Sequence, residues 1–218
     1  MLDDLTNLQA LLKDSTLLAT RGYIAGEWCD GENGQTFPVY NPARGDVITD
    51  VADISRTQTA EAISIAEKAQ KLWAARPAKE RSNLLRNWYN LMMENQEDLA
   101  TILTAEQGKP IEEAKGEIAY GASFIEFFAE EAKRVYGETI PGHQSDKRIT
   151  VLKQPVGVAA SITPWNFPNA MITRKAGPAL AAGCAFIARP AAETPLSALA
   201  MGILADRAGL PKGILSII

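Results

Sequence analysis

The sequence is poor in the residues from which several kinds of site are built. Its 218 residues include one histidine and two cysteines, Cys29 and Cys184, with no clustered set of Cys, His and Asp. A metal site therefore has almost no candidate ligands, and none is predicted. Two cysteines cannot form a disulfide framework in a chain of this length, so a reducing, cytoplasmic compartment is predicted.

The sequence also lacks a net positive charge and long apolar runs. The formal net charge is −4, so no broad basic surface is available to neutralise a nucleic-acid backbone. The first residues, Met1-Leu-Asp-Asp, carry acid where a signal peptide would carry positive charge. No apolar run approaches the ~20 residues that a membrane-spanning helix needs. We therefore expect neither a nucleic-acid partner nor a membrane.

Hydrophobic periodicity predicts a helix-rich first half. Leucines between Leu2 and Leu12 recur at helical spacing and predict a short opening helix. Short strands are predicted at Tyr23–Trp28 and Phe37–Tyr40. Three long helices follow: one from an N-cap at Thr57 to Arg76, one that carries Leu84 and Leu99 and ends near Gly108, and one between Pro110 and Gly137.

The second half alternates between strands and helices. Arg148–Gln154 alternates in strand fashion and predicts a protruding hairpin arm or edge ribbon. Beyond it, three apolar strands are separated by two helices; the strands are Val158–Ile162, Ala185–Ala188 and Ile214–Ile218, and the helices Asn169–Ala182 and Pro195–Ala208. This order predicts an α/β fold with a Rossmann-like parallel sheet that is buried on both faces.

The predicted organisation has three parts. Residues 1–136 are a mainly helical part, 137–155 a protruding β-arm, and 156–218 a core of alternating strands and helices. The third strand lies at the end of the sequence, so its outer edge is expected to expose apolar groups. The chain is therefore expected to be a fragment of a larger fold.

One loop stands out as a place for a site. Generic phosphate motifs such as G-x-G-x-x-G are missing. The segment Thr163-Pro-Trp-Asn-Phe-Pro168 follows the first parallel strand, at the strand end where parallel α/β sheets bind ligands. Two prolines fix its backbone around Trp165 and Asn166, which predicts a rigid loop suited to a binding site.

Several stretches, in order, resemble the aldehyde dehydrogenase superfamily. They are Glu106–Pro110 with Glu113 and Glu117, Pro155–Val158, Thr163–Pro168, Gly177–Gly183 and Arg189–Pro195. Three further stretches resemble the bacterial succinate-semialdehyde dehydrogenases, namely Asn87–Met93, Thr139–His143 and Ala170–Lys175. The resemblance implies an incomplete aldehyde dehydrogenase fold whose catalytic domain is absent. Residues 1–136 would be the helical part of the cofactor domain, 137–155 part of an oligomerisation β-arm that assembles homo-oligomers, and 156–218 the truncated Rossmann-like cofactor-binding core.

The resemblance also implies a reaction. In the complete enzyme a cysteine thiolate would attack the aldehyde, hydride would pass to NADP or NAD, and water would release the acid. The nucleophilic cysteine and the general-base glutamate are expected beyond Ile218, so the 218-residue chain itself is expected to be inactive. Two alternatives stay open: a truncated nucleotide-binding or interaction module, and a related enzyme with another aldehyde substrate.

Asn166 and Arg174 carry the chemical predictions. Asn166 matches the family's oxyanion-hole asparagine, whose amide can donate to a developing oxyanion; the alternative is an asparagine that caps the following helix. Arg174 matches an arginine that holds a distal carboxylate of the substrate, to which a guanidinium is well suited; the alternative is a solvated helix arginine. Phe167 is expected to contact the substrate.

The resemblance assigns cofactor contacts as well. These are Ile162, Thr163, Pro164, Trp165, Arg189, Ala192 and Glu193. Arg189 stands where the family usually has a lysine on the adenosine ribose, and Ala192 where many NAD-preferring members have glutamate. Loss of that acid removes a repulsion against a 2′-phosphate, which favours NADP, although the neighbouring Glu193 weakens this argument.

Overall fold

A computed structural model describes residues 4–218, with side chains from residue 7 onward. The opening helix, α1, is Asp4–Leu11. Of the leucines that predicted it, Leu2 lies outside the described residues, while Leu8 and Leu12 are buried and Leu11 is 71% exposed. No described helix is long and apolar enough to cross a membrane.

The amino-terminal strands differ from the prediction. The expected single strand Tyr23–Trp28 is a hairpin of β1 (Gly22–Ile24) and β2 (Glu27–Cys29). Its turn is made by Ala25 and Gly26, both at positive φ, a reversal that the run of apolar residues did not reveal. The predicted strand at 37–40 is β3 (Thr36–Tyr40), and it pairs antiparallel with β4 (Val47–Ala52), which was not predicted.

Four long helices stand where three were predicted. The first, α2 (Arg56–Ala74), begins at a capping box of Ser55 and Gln58 rather than at Thr57. The predicted second helix is split into α3 (Ala78–Glu94) and α4 (Gln96–Gln107).

Asn95 causes this split. Its φ of −104° and ψ of 19° are not helical, and its side-chain amide donates to the carbonyl of Leu91 at 2.8 Å. As predicted, α4 ends at Gly108, which has a φ of 88°. The last of the four helices is α5 (Ile111–Glu131), and a 3-10 turn at Ala132–Arg134 follows it.

The predicted ribbon and the Rossmann-like unit are both observed. The ribbon is an antiparallel pair of β5 (Glu138–Pro141) and β6 (Arg148–Val151), exposed along both strands. The parallel unit consists of β7 (Val158–Ile162), α6 (Ala170–Ala182), β8 (Ala185–Arg189), α7 (Leu196–Arg207) and β9 (Leu215–Ile217). The strands β7, β8 and β9 pair in parallel register, which confirms the predicted α/β class.

The outer edge of β9 is covered, contrary to the prediction. β1 pairs antiparallel with it through Tyr23 and Ile217, and the sheet has the order β2-β1-β9-β8-β7. Tyr23 and Ile24 are buried there, so the amino-terminal hairpin supplies the neighbour that the sequence was expected to lack. Burial on both faces holds for β8 and β9 but not for β7, where Ile162 is 82% exposed.

Two tryptophans attach the helical layer to the parallel unit. Trp73 and Trp88 are fully buried, and their indole N–H groups donate to the carbonyls of Leu180 in α6 and Met201 in α7, at 3.0 and 3.1 Å. Truncating a buried tryptophan costs roughly 3–5 kcal/mol. These contacts pack α2 against α6 and α3 against α7. Separately, α5 packs against α6 and α4 against α7, where the candidate site lies.

Candidate functional site at the carboxyl ends of β7 and β8

The loop after β7 is anchored at its first residue. The backbone N–H of Thr163 donates to the carbonyl of Arg189 at 3.1 Å, which ties the carboxyl ends of β7 and β8 together. Beyond this anchor the loop is open, because Trp165 is 53% and Phe167 40% exposed. Asn166 is also exposed, and its side-chain amide has no hydrogen bond to any described residue. The side chains of Trp165, Asn166 and Phe167 are therefore open to solvent, whereas Thr163 is buried.

A buried ion pair of Lys109 and Glu117 holds the loop in place. Gly108 turns the chain between α4 and α5, and Lys109 follows it. The Lys109 ammonium lies 2.6 Å from Glu117 Oε2, with the two side chains 11% and 1% exposed. The same ammonium donates to the carbonyl of Asn166 at 3.1 Å and lies 4.3 Å from the ring centroid of Phe167.

Glu117 also occupies the start of α6. Its Oε1 accepts from the backbone N–H groups of Asn169 and Ala170, at 2.9 and 3.2 Å. These are unpaired donors of the first helical turn, where a carboxylate is favoured by the helix dipole. Asn169 stands at the N-cap position, and the cap alternative for Asn166 is therefore wrong.

A second carboxylate occupies the start of α7 in the same way. Glu106 accepts from the N–H groups of Leu196 and Ser197 at 2.6 and 2.8 Å, and from the Ser197 hydroxyl. Burial raises the pKa of Glu106 to about 7, against the lowering effect of these donors. The backbone donors that helix starts often offer to a phosphate are thus already taken at both α6 and α7.

A cavity of about 580 Å³ lies beside the strand ends. It brings together three residues that were predicted to contact the cofactor, Ile162, Arg189 and Ala192, and the first two are also neighbours in the β7–β8 register. Glu193 is exposed and does not line the cavity, nor do Thr163, Pro164 and Trp165. Much of the remaining wall is apolar and comes from the amino-terminal region, from Phe37, Val51, Ile54 and Ile63.

Arg174 projects from α6 beyond the loop. Its guanidinium carbon lies 5.4 Å from the ring centroid of Phe124, and Nη1 lies 3.8 Å from Met171 Sδ. No carboxylate among the described residues pairs with this exposed side chain. Burial, together with the charge of Arg174, lowers the pKa of the adjacent Lys175. The surface here is positive and has an aromatic wall.

The two cysteines lie away from this site. Cys184 is buried immediately before β8, at the end of the strand opposite Arg189. Cys29 ends β2; burial and the neighbouring Glu27 and Glu61 raise the pKa of its thiol. Both are free cysteines, and the described residues contain no group of three or more potential metal ligands.

Three charged residues at the site had no predicted role: Glu106, Lys109 and Glu117. A signal for two of them exists in the sequence. Glu117 falls on the same buried stripe of α5 as Ala114 and Gly121, and Glu106 falls on the buried side of α4 with Leu103. An acid on an apolar stripe must find donors, because an unpaired buried charge is costly. The stripe does not reveal which donors they are.

Comparison with known proteins places this geometry in a family. The aldehyde dehydrogenase family matches residues 28–218. Glutarate-semialdehyde dehydrogenase of Pseudomonas aeruginosa is 60% identical, and succinate-semialdehyde dehydrogenase [NADP(+)] of Escherichia coli is 58% identical; each match covers 95% of this chain and 43% of the relative. The crystal structure of an E. coli NADP-dependent enzyme superposes with a TM-score of 0.94 at 58% identity, again over 95% of this chain and 43% of that one. The chain therefore spans about 43% of the length of these relatives.

Proposed function

The chain belongs to the aldehyde dehydrogenase family, and from that premise we propose that it is the cofactor-binding amino-terminal part of an NAD(P)-dependent enzyme. The proposed reaction oxidises succinate semialdehyde, or a close homologue, to the acid. The observation that carries the substrate assignment is Arg174, an exposed guanidinium with no carboxylate partner among the described residues, on the helix that follows the Asn166 loop.

The substrate class follows from the charge of Arg174. Two relatives are named for succinate and glutarate semialdehyde, aldehydes that carry a carboxylate at the far end. A guanidinium can bind such a carboxylate through two parallel hydrogen bonds. We therefore propose that Arg174 binds the distal carboxylate, while Phe167 contacts the carbon chain. The aldehyde carbon would then lie toward Asn166.

Asn166 is proposed to act on the oxygen of the aldehyde. When a nucleophile adds to the carbonyl carbon, the oxygen gains negative charge, and the free side-chain amide of Asn166 can donate to it. The nucleophile is not one of the two thiols of this chain, because Cys184 is buried at the opposite end of β8 and burial holds the Cys29 thiol protonated.

The cavity fits the adenosine end of a dinucleotide. Its apolar wall suits a purine, and Arg189 can donate to ribose hydroxyls or to a 2′-phosphate. Ala192 adds no opposing charge, and Asp53, which also lines the cavity, can accept from a ribose hydroxyl. The starts of α6 and α7 do not fit the pyrophosphate, because Glu117 and Glu106 occupy them. We propose that NADP is preferred over NAD, and that Thr163, Pro164 and Trp165 meet the cofactor nearer its reactive end. When bound, the nicotinamide supplies the hydride acceptor.

The proposal includes a compartment and an assembly. Two free cysteines suit a reducing cytoplasm. The exposed β5–β6 ribbon offers unpaired strand edges, which suit pairing between copies in a homo-oligomer. We propose no nucleic-acid partner.

The test is a substrate panel with the complete enzyme that carries this segment. We expect succinate semialdehyde to be oxidised with NADP far better than butyraldehyde. Arg174→Leu removes a charge-assisted bond worth roughly 1.5–3 kcal/mol, so KM for succinate semialdehyde should rise roughly ten- to a hundred-fold, with little change for butyraldehyde. Arg134→Leu, which removes an exposed arginine paired with Glu131, is the control. Equal losses on both substrates would refute the role of Arg174.

The 218-residue chain by itself is proposed to be inactive, since neither thiol reaches the site. Purified chain should produce no NADPH from succinate semialdehyde above a buffer control. Turnover that is lost on mutation of Cys29 or Cys184 to Ala would show that the nucleophile lies within this segment.

A further inference from the structure

The ammonium of Lys109 joins a buried carboxylate to the exposed loop. Three contacts converge on it: Glu117 Oε2 at 2.6 Å, the carbonyl of Asn166 at 3.1 Å and the ring of Phe167 at 4.3 Å. The loop contacts involve the backbone of one residue and the ring of the next. Lys109 therefore holds the loop without using the side-chain amide of Asn166.

The rest of the loop is fixed on both sides of this contact. Before it, the Thr163 N–H donates to the carbonyl of Arg189. After it, Glu117 accepts from the N–H groups of Asn169 and Ala170. The backbone around Asn166 is thus held at three points, two of which depend on Glu117 directly or through Lys109. The amide of Asn166 remains available to a ligand.

Stability alone does not account for this arrangement. The lysine and glutamate side chains are 11% and 1% exposed, and burying two charges costs about as much as their attraction returns. An ion pair of this kind is better explained by what it orders. An amide that stabilises an oxyanion is effective only when it is held in place before the charge develops.

We infer that Lys109 and Glu117 are positioning residues for Asn166. This inference rests on the proposed function, in which Asn166 donates to the oxyanion. Lys109 touches neither substrate nor cofactor in this role. It fixes the Asn166 carbonyl, and Glu117 fixes both Lys109 and the start of α6, so that the amide of Asn166 occupies one orientation.

The first test is Lys109→Met in the complete enzyme. A small misplacement of a catalytic group lowers the rate strongly, so we expect kcat for succinate semialdehyde to fall roughly ten- to a hundred-fold while KM changes by less than about threefold. Lys109→Arg retains a cationic donor and should recover part of the loss. Lys115→Met is the matched control, because the described partners of the Lys115 ammonium are the more exposed Glu97 and Glu112. An unchanged kcat, or a loss confined to KM, would refute the inference.

The second test asks whether Lys109 acts through Asn166. In an Asn166→Ala background there is no amide left to position, so Lys109→Met should lower kcat by less than about twofold further. A full additional loss would mean that Lys109 acts independently of Asn166, and the inference would be wrong.

A third measurement needs no turnover. The backbone N–H groups of residues 165–167, 169 and 170 should exchange hydrogen faster in Lys109→Met than in wild type, and not in Lys115→Met. Unchanged exchange in Lys109→Met would refute the inference that Lys109 holds this loop. An inactive wild-type enzyme would instead refute the proposed function, and the positioning role with it, even if exchange increased. An active wild type whose Lys109→Met variant keeps its kcat would refute the positioning role alone.

Discussion

The helices α6 and α7 both begin against a buried glutamate, yet the two glutamates are neutralised differently. Glu117 at α6 pairs with Lys109, which reaches on to the Asn166 loop. Glu106 at α7 accepts only from the N–H groups of Leu196 and Ser197 and from a hydroxyl, and burial raises its pKa to about 7. The same strand–helix arrangement therefore occurs twice, but the glutamate at the start of each helix has different partners.

The surfaces next to these two helix starts also differ. At the start of α6 lies the loop in which the side-chain amide of Asn166 has no hydrogen bond to any described residue. Beside α7 lies the cavity with Arg189 and Ala192 in its wall. We infer a division of tasks, in which Asn166 in the loop after β7 stabilises the reacting oxygen, and Arg189 and Ala192 after β8 bind the adenosine end of the nucleotide. This division predicts that variants at one end change kcat and variants at the other change nucleotide affinity.

The largest effect is expected at Asn166. Asn166→Ala in the complete enzyme should lower kcat by roughly a hundred- to a thousand-fold, the usual effect of removing one oxyanion donor. Steady-state kinetics measure the loss, and NADP titration should give a dissociation constant within about twofold of wild type if the two ends are separate. Asn90→Ala, on the exposed side of α3, is the control. Weakened NADP binding in Asn166→Ala would break the division.

A smaller effect is expected at Ala192, on nucleotide affinity rather than on kcat. Ala192→Glu places an acid in the cavity wall near Arg189, where it would repel a 2′-phosphate. The dissociation constant for NADP should rise roughly tenfold, equivalent to ~1.4 kcal/mol, with little change for NAD and in kcat. Calorimetric titration with both nucleotides checks this.

Glu193→Ala tests whether Glu193, rather than Ala192, faces the nucleotide. Glu193 is exposed and lies outside the cavity lining, so its loss should leave NADP affinity unchanged. A marked gain in NADP affinity would show that Glu193, rather than position 192, faces the phosphate.

A pH dependence of stability is expected at Glu106. Its folded-state pKa of about 7 lies above the ordinary value of 4.5, so the folded protein holds this proton more tightly than the unfolded chain. The stabilising contribution is complete below the unfolded value and is lost as the pH rises to about 7. The free energy of unfolding of wild type should therefore fall relative to Glu106→Gln over this range, as chemical denaturation can measure. A difference that does not vary with pH would mean that Glu106 stays ionised in the folded protein.

Local patterns predicted the part of the fold that local sequence determines. The β7–α6–β8–α7–β9 unit was predicted with bounds within about two residues. Its apolar strands and glycine-terminated helices are determined by the residues within each element. The split at Asn95 was missed, since a single asparagine does not interrupt the hydrophobic stripe. The cover over β9 was missed because its partner, β1, lies at the other end of the chain.

The site was predictable only in part. The pairing of Ile162 with Arg189 follows from strand register, and both line the cavity that also contains Ala192. The roles of Lys109 and Glu117 could not be predicted, because they depend on where α5 packs against the start of α6. Sequence indicates that Glu117 must find donors, but tertiary structure decides that they are the N–H groups of Asn169 and Ala170.

The cover over β9 sets the order in which this segment can fold on the ribosome. The N–H of Ala25, in the β1–β2 turn, donates to the hydroxyl of Ser216, and the two residues are 191 positions apart. Contacts between such distant residues form slowly, because a long stretch of chain must be ordered before the contact is rewarded. Ala25 is synthesised 191 residues before Ser216, so the β1–β2 hairpin must wait for the intervening residues to emerge. Closure of the sheet is therefore expected as the last step of its folding, with an apolar strand edge exposed until then.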